Sequence, residues 1–159
     1  MSTVKWLSKA EQKAWRSWIA VATKLPEALS KDLESEHGLT LTDYEILAHL
    51  SESPNHRLRM SELAKATLAS RSKLSHQITR LEDLGFVERR TCNADGRGQF
   101  AQLTPKGMRK IESAAKDHVA SVRRHLVDVL GKDFLKFGKL TQVVADNLSE
   151  PKAGDSAEK

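Results

Sequence analysis

SELAKATLASRSKLSHQITRLEDLG, residues 61–85, decides how the rest of the chain is read. The stretch predicts two short helices separated by a tight break. Ser61 caps the first, and Leu63 and Ala64 give it an apolar side. Leu68 and Ala69 then interrupt the pattern, and Ser70 offers its hydroxyl to the free amides that open the second helix. Leu74, Ile78 and Leu81 recur at the spacing of one helix face. The opposite side carries Arg71, Ser72, Ser75, His76, Thr79 and Arg80, short hydrogen-bonding groups interspersed with cations. An ordinary amphipathic helix with a solvated face shares the apolar spacing, but this mixture suits an element lying in a DNA major groove. Gly85 supplies the left-handed residue that ends a helix, and Phe86 folds back on it.

Downstream the period changes from helical to alternating. Residues 86–92, FVERRTC, and 99–103, QFAQL, read as two strands joined by NADGRG, whose glycines and Asn/Asp residues supply turn conformations. A hairpin placed after a helix-turn-helix is a wing. Its tip presents Arg97 between two glycines, where little bulk keeps the guanidinium from a narrow minor groove. Asp95 either braces that arginine or caps the turn. Residues 57–60, RLRM, form a short extended piece leading into the helix pair.

Charge is concentrated on the same segment. Between His56 and Lys110 stand 12 Lys and Arg against 5 Asp and Glu, out of 26 against 21 in the whole chain, so the remainder is net acidic. A basic footprint of this kind is expected of a polyanion binder. With 159 residues, 39% hydrophobic and 30% charged, the chain has the size of one domain with an attached helical framework. No apolar run approaches the roughly 20 residues needed to span a bilayer, and the N-terminus lacks a signal-peptide core, so no membrane partner and a cytoplasmic location are expected. One cysteine, Cys92, excludes an internal disulfide and a multi-thiolate zinc site.

The two ends read as long helices. Ser8 with Glu11 makes a capping box, and the first helix runs to about His37 with Pro26 as its one breaker. Trp15, Trp18, Ile19, Ala22, Leu25, Leu29 and Leu33 line one side of it. Such a stripe is either core, subunit interface or, for Trp15 and Trp18, a ligand wall. Thr42 with Glu45 is read as a second capping box, opening a short helix with Tyr44, Ile46, Leu47 and Leu50. Thr104 and Pro105 start another helix, which continues to Gly131, roughly 26 residues and about 39 Å. A last helix covers Phe134 to about Leu148. The tail, residues 150–159, is poor in apolar residues and expected to be disordered.

In this order of elements the chain resembles the multiple-antibiotic-resistance regulator (MarR) family of bacterial winged-helix proteins, in an actinobacterial form. The resemblance covers about residues 8–148. LTDYEILAHLSE (41–52), MSELAKATLASRSKLSHQITRLEDLGFVERR (60–90) and DGRGQFAQLTPKG (95–107) carry it. The last matches the family's wing signature, Asp-x-Arg at the tip followed by a strand and Leu-Thr-x-x-Gly. The resemblance implies a mainly α fold with a small β wing. Residues 1–37 would form an N-terminal dimerisation helix, 38–104 a winged helix-turn-helix, and 105–149 C-terminal dimerisation helices.

The same resemblance implies a homodimeric transcriptional regulator, most often a repressor, on a pseudo-palindromic double-stranded operator. Ser70 to Arg80 becomes the recognition helix, with Arg71, Ser72, Ser75, His76 and Thr79 at base edges or adjacent phosphates. Arg97 becomes the minor-groove arginine, and Lys73, Arg89 and Arg90 meet phosphates. A small organic effector is expected near Trp15, Arg16, Trp18, Ile19, Ala22 and Tyr44. Two alternatives stay within the family. Cys92, beside Arg89, Arg90 and Arg97, is either a half-buried strand residue or a thiol switch. The six histidines, His37, His49, His56, His76, His118 and His125, are either ordinary surface and core residues or parts of a zinc-responsive site. No pair stands at ligand spacing, so no metal site is assigned, and one would have to be assembled across elements. No phosphate loop or nucleophile motif is present; neither an enzyme nor a cofactor is expected. A scaffold that uses the winged helix to bind protein would lack salt-dependent DNA affinity.

Overall fold

A computed structural model of the chain describes residues 4–91 and 98–149. The chain divides into two compact units, Met1–Ser121 and Val122–Lys159. The first unit contains α1 (Lys9–His37), α2 (Leu41–Glu52), β1 (Arg57–Arg59), α3 (Met60–Ala66), α4 (Arg71–Asp83), β2 (Val87–Thr91), β3 (Gln99–Leu103) and nearly all of α5 (Pro105–Val122). The second holds a π turn at Arg123–Val127, a short α6 (Asp128–Leu130) and α7 (Phe134–Ser149).

Local rules set most of these boundaries. Ser8 and Glu11 form the reciprocal capping box at the start of α1, and Gly38 ends that helix in the left-handed region. The box opening α2 is formed by Thr40 and Asp43 instead of Thr42 and Glu45: Thr40 Oγ1 accepts from Asp43 N at 3.1 Å, and Asp43 returns the bond to Thr40 N at 2.9 Å. The sequence LTLTDYE carries two overlapping threonine-to-acid patterns, and the earlier one is used because the helix begins at Leu41, directly after the buried Leu39. Ser61 likewise lies inside α3 and does not cap it. Arg59 is held extended by pairing with Phe100, so the helix begins at Met60, with Glu62 accepting from Arg59 N at 3.2 Å.

The break between α3 and α4 is a left-handed turn at Leu68, with φ of 53° and a side chain 92% exposed. Ala69 N–H returns to Ala64 C=O at 3.0 Å, the closing bond of a Schellman motif, in a place where glycine is usual. Gly85, at φ 74°, ends α4 the same way, with Phe86 N–H reaching Leu81 C=O at 2.9 Å.

The sheet is antiparallel with strand order β1-β3-β2; Val87 faces Leu103 and Leu58 faces Ala101. Its inner face closes one core with Leu33, Leu39, Ile46, Leu47, Leu50, Leu63, Leu74, Ile78, Leu81 and Ile111. Burying each such side chain contributes on the order of 2 kcal/mol. Asp32 accepts from Ser121 Oγ at 2.5 Å and Asp117 meets His37 Nε2 at 2.9 Å, fastening the C-terminal part of α1 to α5.

Away from that core, α1 buries only Leu29 and Leu33, and Trp15, Trp18, Ile19 and Val21 are exposed, Trp15 by 54%. In the second unit, Leu135, Leu140, Val143, Val144 and Leu148 of α7 are all exposed. The helical run expected to continue to Gly131 does reach Leu130, but one turn, Arg123–Val127, widens to π geometry. No helix of the described residues is long and apolar enough to cross a membrane.

At Gly107, α5 passes close to the chain on either side of the hairpin, at Phe86 and Leu103. A Cβ there would stand 2.1 Å from the Phe86 carbonyl oxygen and 2.7 Å from Leu103 Cδ1. Because one neighbour is backbone, the clash cannot be relieved by rotating a side chain. Gly107→Ala is expected to lower the unfolding free energy by about 3 kcal/mol, measured by urea denaturation.

Candidate nucleic-acid interface

The direction of each polar side chain on α4 follows from the three it buries. Leu74, Ile78 and Leu81 are at most 1% exposed, so Arg71, Ser72, Ser75, His76 and Thr79 face outward, all exposed. Ser70 caps the helix, its Oγ accepting from Lys73 N–H at 3.2 Å. Beside this face lies a cleft of about 480 Å³ lined by Arg59, Met60, Ser61, Arg71, Leu74, Ser75, Gly98 and Gln99. Arg59 and Arg71 thus both line the groove between α4 and the start of β3. Lys73 lines a second cleft, on the α2 side, with Glu45, Leu68 and Gln77.

Three of the arginines expected to reach nucleic acid pair with carboxylates of the protein. Arg80 donates through Nη1 to Asp43 Oδ2 at 2.5 Å. Asp43 is fully buried, its Oδ2 also accepts from Thr40 N–H, and its Oδ1 has no partner among the described residues. Arg89, on β2, forms an ion pair with Glu82, and its backbone N–H donates to the same carboxylate at 2.8 Å. Its Nη2 donates to Ser75 C=O at 2.7 Å, Thr79 Oγ1 at 3.0 Å and Ser75 Oγ at 3.3 Å. Arg90 pairs with Glu88 at 2.6 Å on the exposed side of the strand. Asp95, Arg97 and Cys92 lie outside the described residues.

The sequence reading passed over two cations on β1. Arg57 and Arg59 alternate about Leu58 and stand over the Phe100 ring, at 5.4 and 5.1 Å from its centroid. The alternation in RLR was a strand signal, but which face it addressed depended on pairing with β3. Asp43 was also missed as part of this site, since its partner Arg80 is 37 residues away.

The expected effector residues divide between two places. Trp15, Arg16, Trp18, Ile19 and Ala22 are exposed on α1. Tyr44, on α2, packs against His118 of α5, with ring centroids 4.0 Å apart. Burial pushes the Tyr44 hydroxyl pKa up, with the charge of Glu52 adding, and pushes His118 down. His118 Nδ1 is buried without a partner among the described residues. A cluster across elements also involves histidine: Glu36, His37 and Asp117 each offer a ligand atom, all within 4.8 Å of one another.

A family model described as MarR family matches residues 37–98. The chain is 47% identical to AbsC, a MarR family transcriptional regulator from Streptomyces coelicolor. The superposition covers 91% of this chain and 98% of that one, with a TM-score of 0.86. It is 41% identical to Sco3205, a MarR family transcriptional regulator of the same organism solved in complex with DNA, covering 96% and 97% with a TM-score of 0.90. Over 85 residues it is 35% identical to the transcriptional repressor MprA of Escherichia coli, a match spanning 54% of this chain and 48% of that relative. The chain thus spans about half the length of that curated relative.

The Asp43–Arg80 pair separates a structural arginine from a surface one. Removing a solvated contact residue changes stability by less than about 0.5 kcal/mol. Arg80→Ala, which leaves the buried Asp43 carboxylate without its cation, should cost on the order of 2 kcal/mol in urea unfolding.

Proposed function

The chain belongs to the MarR family, and from that premise we propose that it is a dimeric, sequence-specific DNA-binding repressor, released from its operator by a small organic effector. The observation that carries this reading is the outward face of α4. Arg71, Ser72, Ser75, His76 and Thr79 share one exposed side of a helix whose other side is locked in the core. A helix so presented is what a major groove admits. That Sco3205, at 41% identity, was solved in complex with DNA supports DNA as the partner here.

Dimerisation is supported by apolar surface that each unit leaves open, Trp15, Trp18 and Ile19 on α1 and Leu140, Val143 and Val144 on α7. Residues 1–37 and 105–149 serve as the dimerisation segments and 38–104 as the DNA-binding one. Two-fold symmetry then sets two half-sites about one helical turn apart, roughly 34–36 Å. Arg97 enters the minor groove, and Arg71, Lys73 and Arg90 neutralise phosphates. The effector lodges between the α1 aromatic residues, with Arg16, and Tyr44 of α2. It acts by unequal affinity for two spacings of the recognition helices.

Operator affinity should fall by about 10³-fold or more between 50 and 200 mM salt, and Arg97→Ala should weaken it at least tenfold without changing the dimer. Gel shifts on duplexes selected from genomic fragments measure both. Unchanged affinity in Arg97→Ala removes the wing from this reading; equally weak binding to every fragment overturns the reading itself.

A second reading, a zinc-responsive regulator, is favoured by the Glu36–His37–Asp117 cluster. One imidazole and two carboxylates make a donor set that suits Zn²⁺. The C-terminal end of α1, where Glu36 and His37 lie, carries partial negative charge that favours a cation. Equilibrium dialysis of the untagged chain should then show one zinc bound per chain, lost in His37→Ala. No uptake by the unsubstituted chain discards this reading.

A further inference from the structure

Arg89 commits both Nη groups of its guanidinium within the fold. One Nη donates to Glu82 in an ion pair, and the other is shared among Ser75 C=O, Ser75 Oγ and Thr79 Oγ1. The carboxylate neutralises its charge, and its side chain is only 23% exposed. What it does to the two hydroxyls it touches follows from counting protons. A serine or threonine hydroxyl has one proton to give and two lone pairs to receive with.

Thr79 gives its proton to Ser75 C=O at 3.1 Å and receives from Arg89 at 3.0 Å. It therefore has no proton left to donate to a base, and what it keeps for a base is its γ-methyl and one lone pair. Ser75 receives from Arg89 through Oγ, while its own proton has no acceptor among the described residues. Ser75 is thereby set as a donor. In the major groove the complements are distinct: a thymine C5-methyl for the threonine methyl, and an acceptor such as purine N7, guanine O6 or thymine O4 for the serine proton.

We propose that Arg89 is a positioning residue that fixes the base preference of the recognition helix, holding Ser75 as a hydrogen-bond donor toward an acceptor edge, with purine N7 the acceptor tested, and Thr79 as a methyl contact to thymine. This rests on the DNA-binding reading above and adds which base chemistry each side chain selects. Thr79 thus reads a base without donating a hydrogen bond to it.

The test uses the full-length dimer and the best duplex from a random-sequence selection, with bases replaced one at a time. Exchanging thymine for deoxyuridine removes only the methyl. Exchanging a purine for its 7-deaza analogue removes only N7. At one thymine per half-site the deoxyuridine exchange should weaken binding about fourfold, the worth of one buried methyl, and the loss should vanish in Thr79→Ser, which keeps the hydroxyl. At one purine per half-site the 7-deaza exchange should cost about fivefold, the worth of one neutral hydrogen bond, and that loss should vanish in Ser75→Ala. Arg89→Lys keeps the charge but loses the fork, and it should shrink both penalties toward onefold. If the penalties persist in Thr79→Ser and Ser75→Ala, or are absent from the unsubstituted protein, the proposal is overturned while sequence-specific binding stands. It is equally overturned if Arg89→Lys keeps both penalties but weakens every duplex by one factor with a shallower salt dependence, the signature of a phosphate contact. A selection that enriches no sequence overturns the DNA-binding reading, and this inference with it.

Discussion

Everything at the interface depends on the burial of Leu74, Ile78 and Leu81 beneath α4. An α-helix advances 100° per residue, so three side chains held in a core fix the direction of every other one. Turning α4 by a single position would bury Ser75 and Thr79 and expose the leucines, at a cost of several kcal/mol. The opposing surface comes from Ile46, Leu47 and Leu50 of α2 and Leu63 of α3, with Val87, Ala101 and Leu103 of the sheet completing the same cluster. The close approach of Gly107 to Phe86 then seats α5 against the chain that joins α4 to the hairpin.

On that frame the arginines divide into two kinds. Arg80 and Arg89 have carboxylate partners within the fold, Asp43 and Glu82, and connect α4 to α2 and to β2. Arg71 and Arg59 line the open cleft beside the outward face of α4. The surplus of basic residues between His56 and Lys110 therefore overstates the charge offered to a polyanion. Part of it is spent within the fold, joining α4 to α2 and to β2.

What was legible in the sequence was what a few neighbouring residues decide. Ser8 with Glu11, Ser70, Gly85 and the Thr104–Pro105 start all act within one turn of chain, and each is found where the residue pattern places it. The apolar spacing of Leu74, Ile78 and Leu81 carried the inward face, and with it the outward one. Misplaced boundaries arose where two local rules competed, as with Thr40 and Thr42, or where a strand pairing overrode a local cap, as at Arg59 and Ser61. The roles of Arg80 and Arg89 were not legible, because a cation on or beside α4 looks alike in sequence whether it faces solvent or a carboxylate, be that 37 residues away, as for Arg80, or across the turn into β2, as for Arg89. The Glu36–His37–Asp117 cluster escaped for the same reason: its third member comes from another helix.

The central claim is that two copies of this outward face are held at a fixed separation on one duplex. Hydroxyl-radical footprinting of the chain on a selected operator measures that separation directly. The account predicts two protected patches related by a dyad, their centres about one helical turn, roughly 34–36 Å, apart. A single patch without symmetry, or protection spread evenly along the duplex, would contradict it.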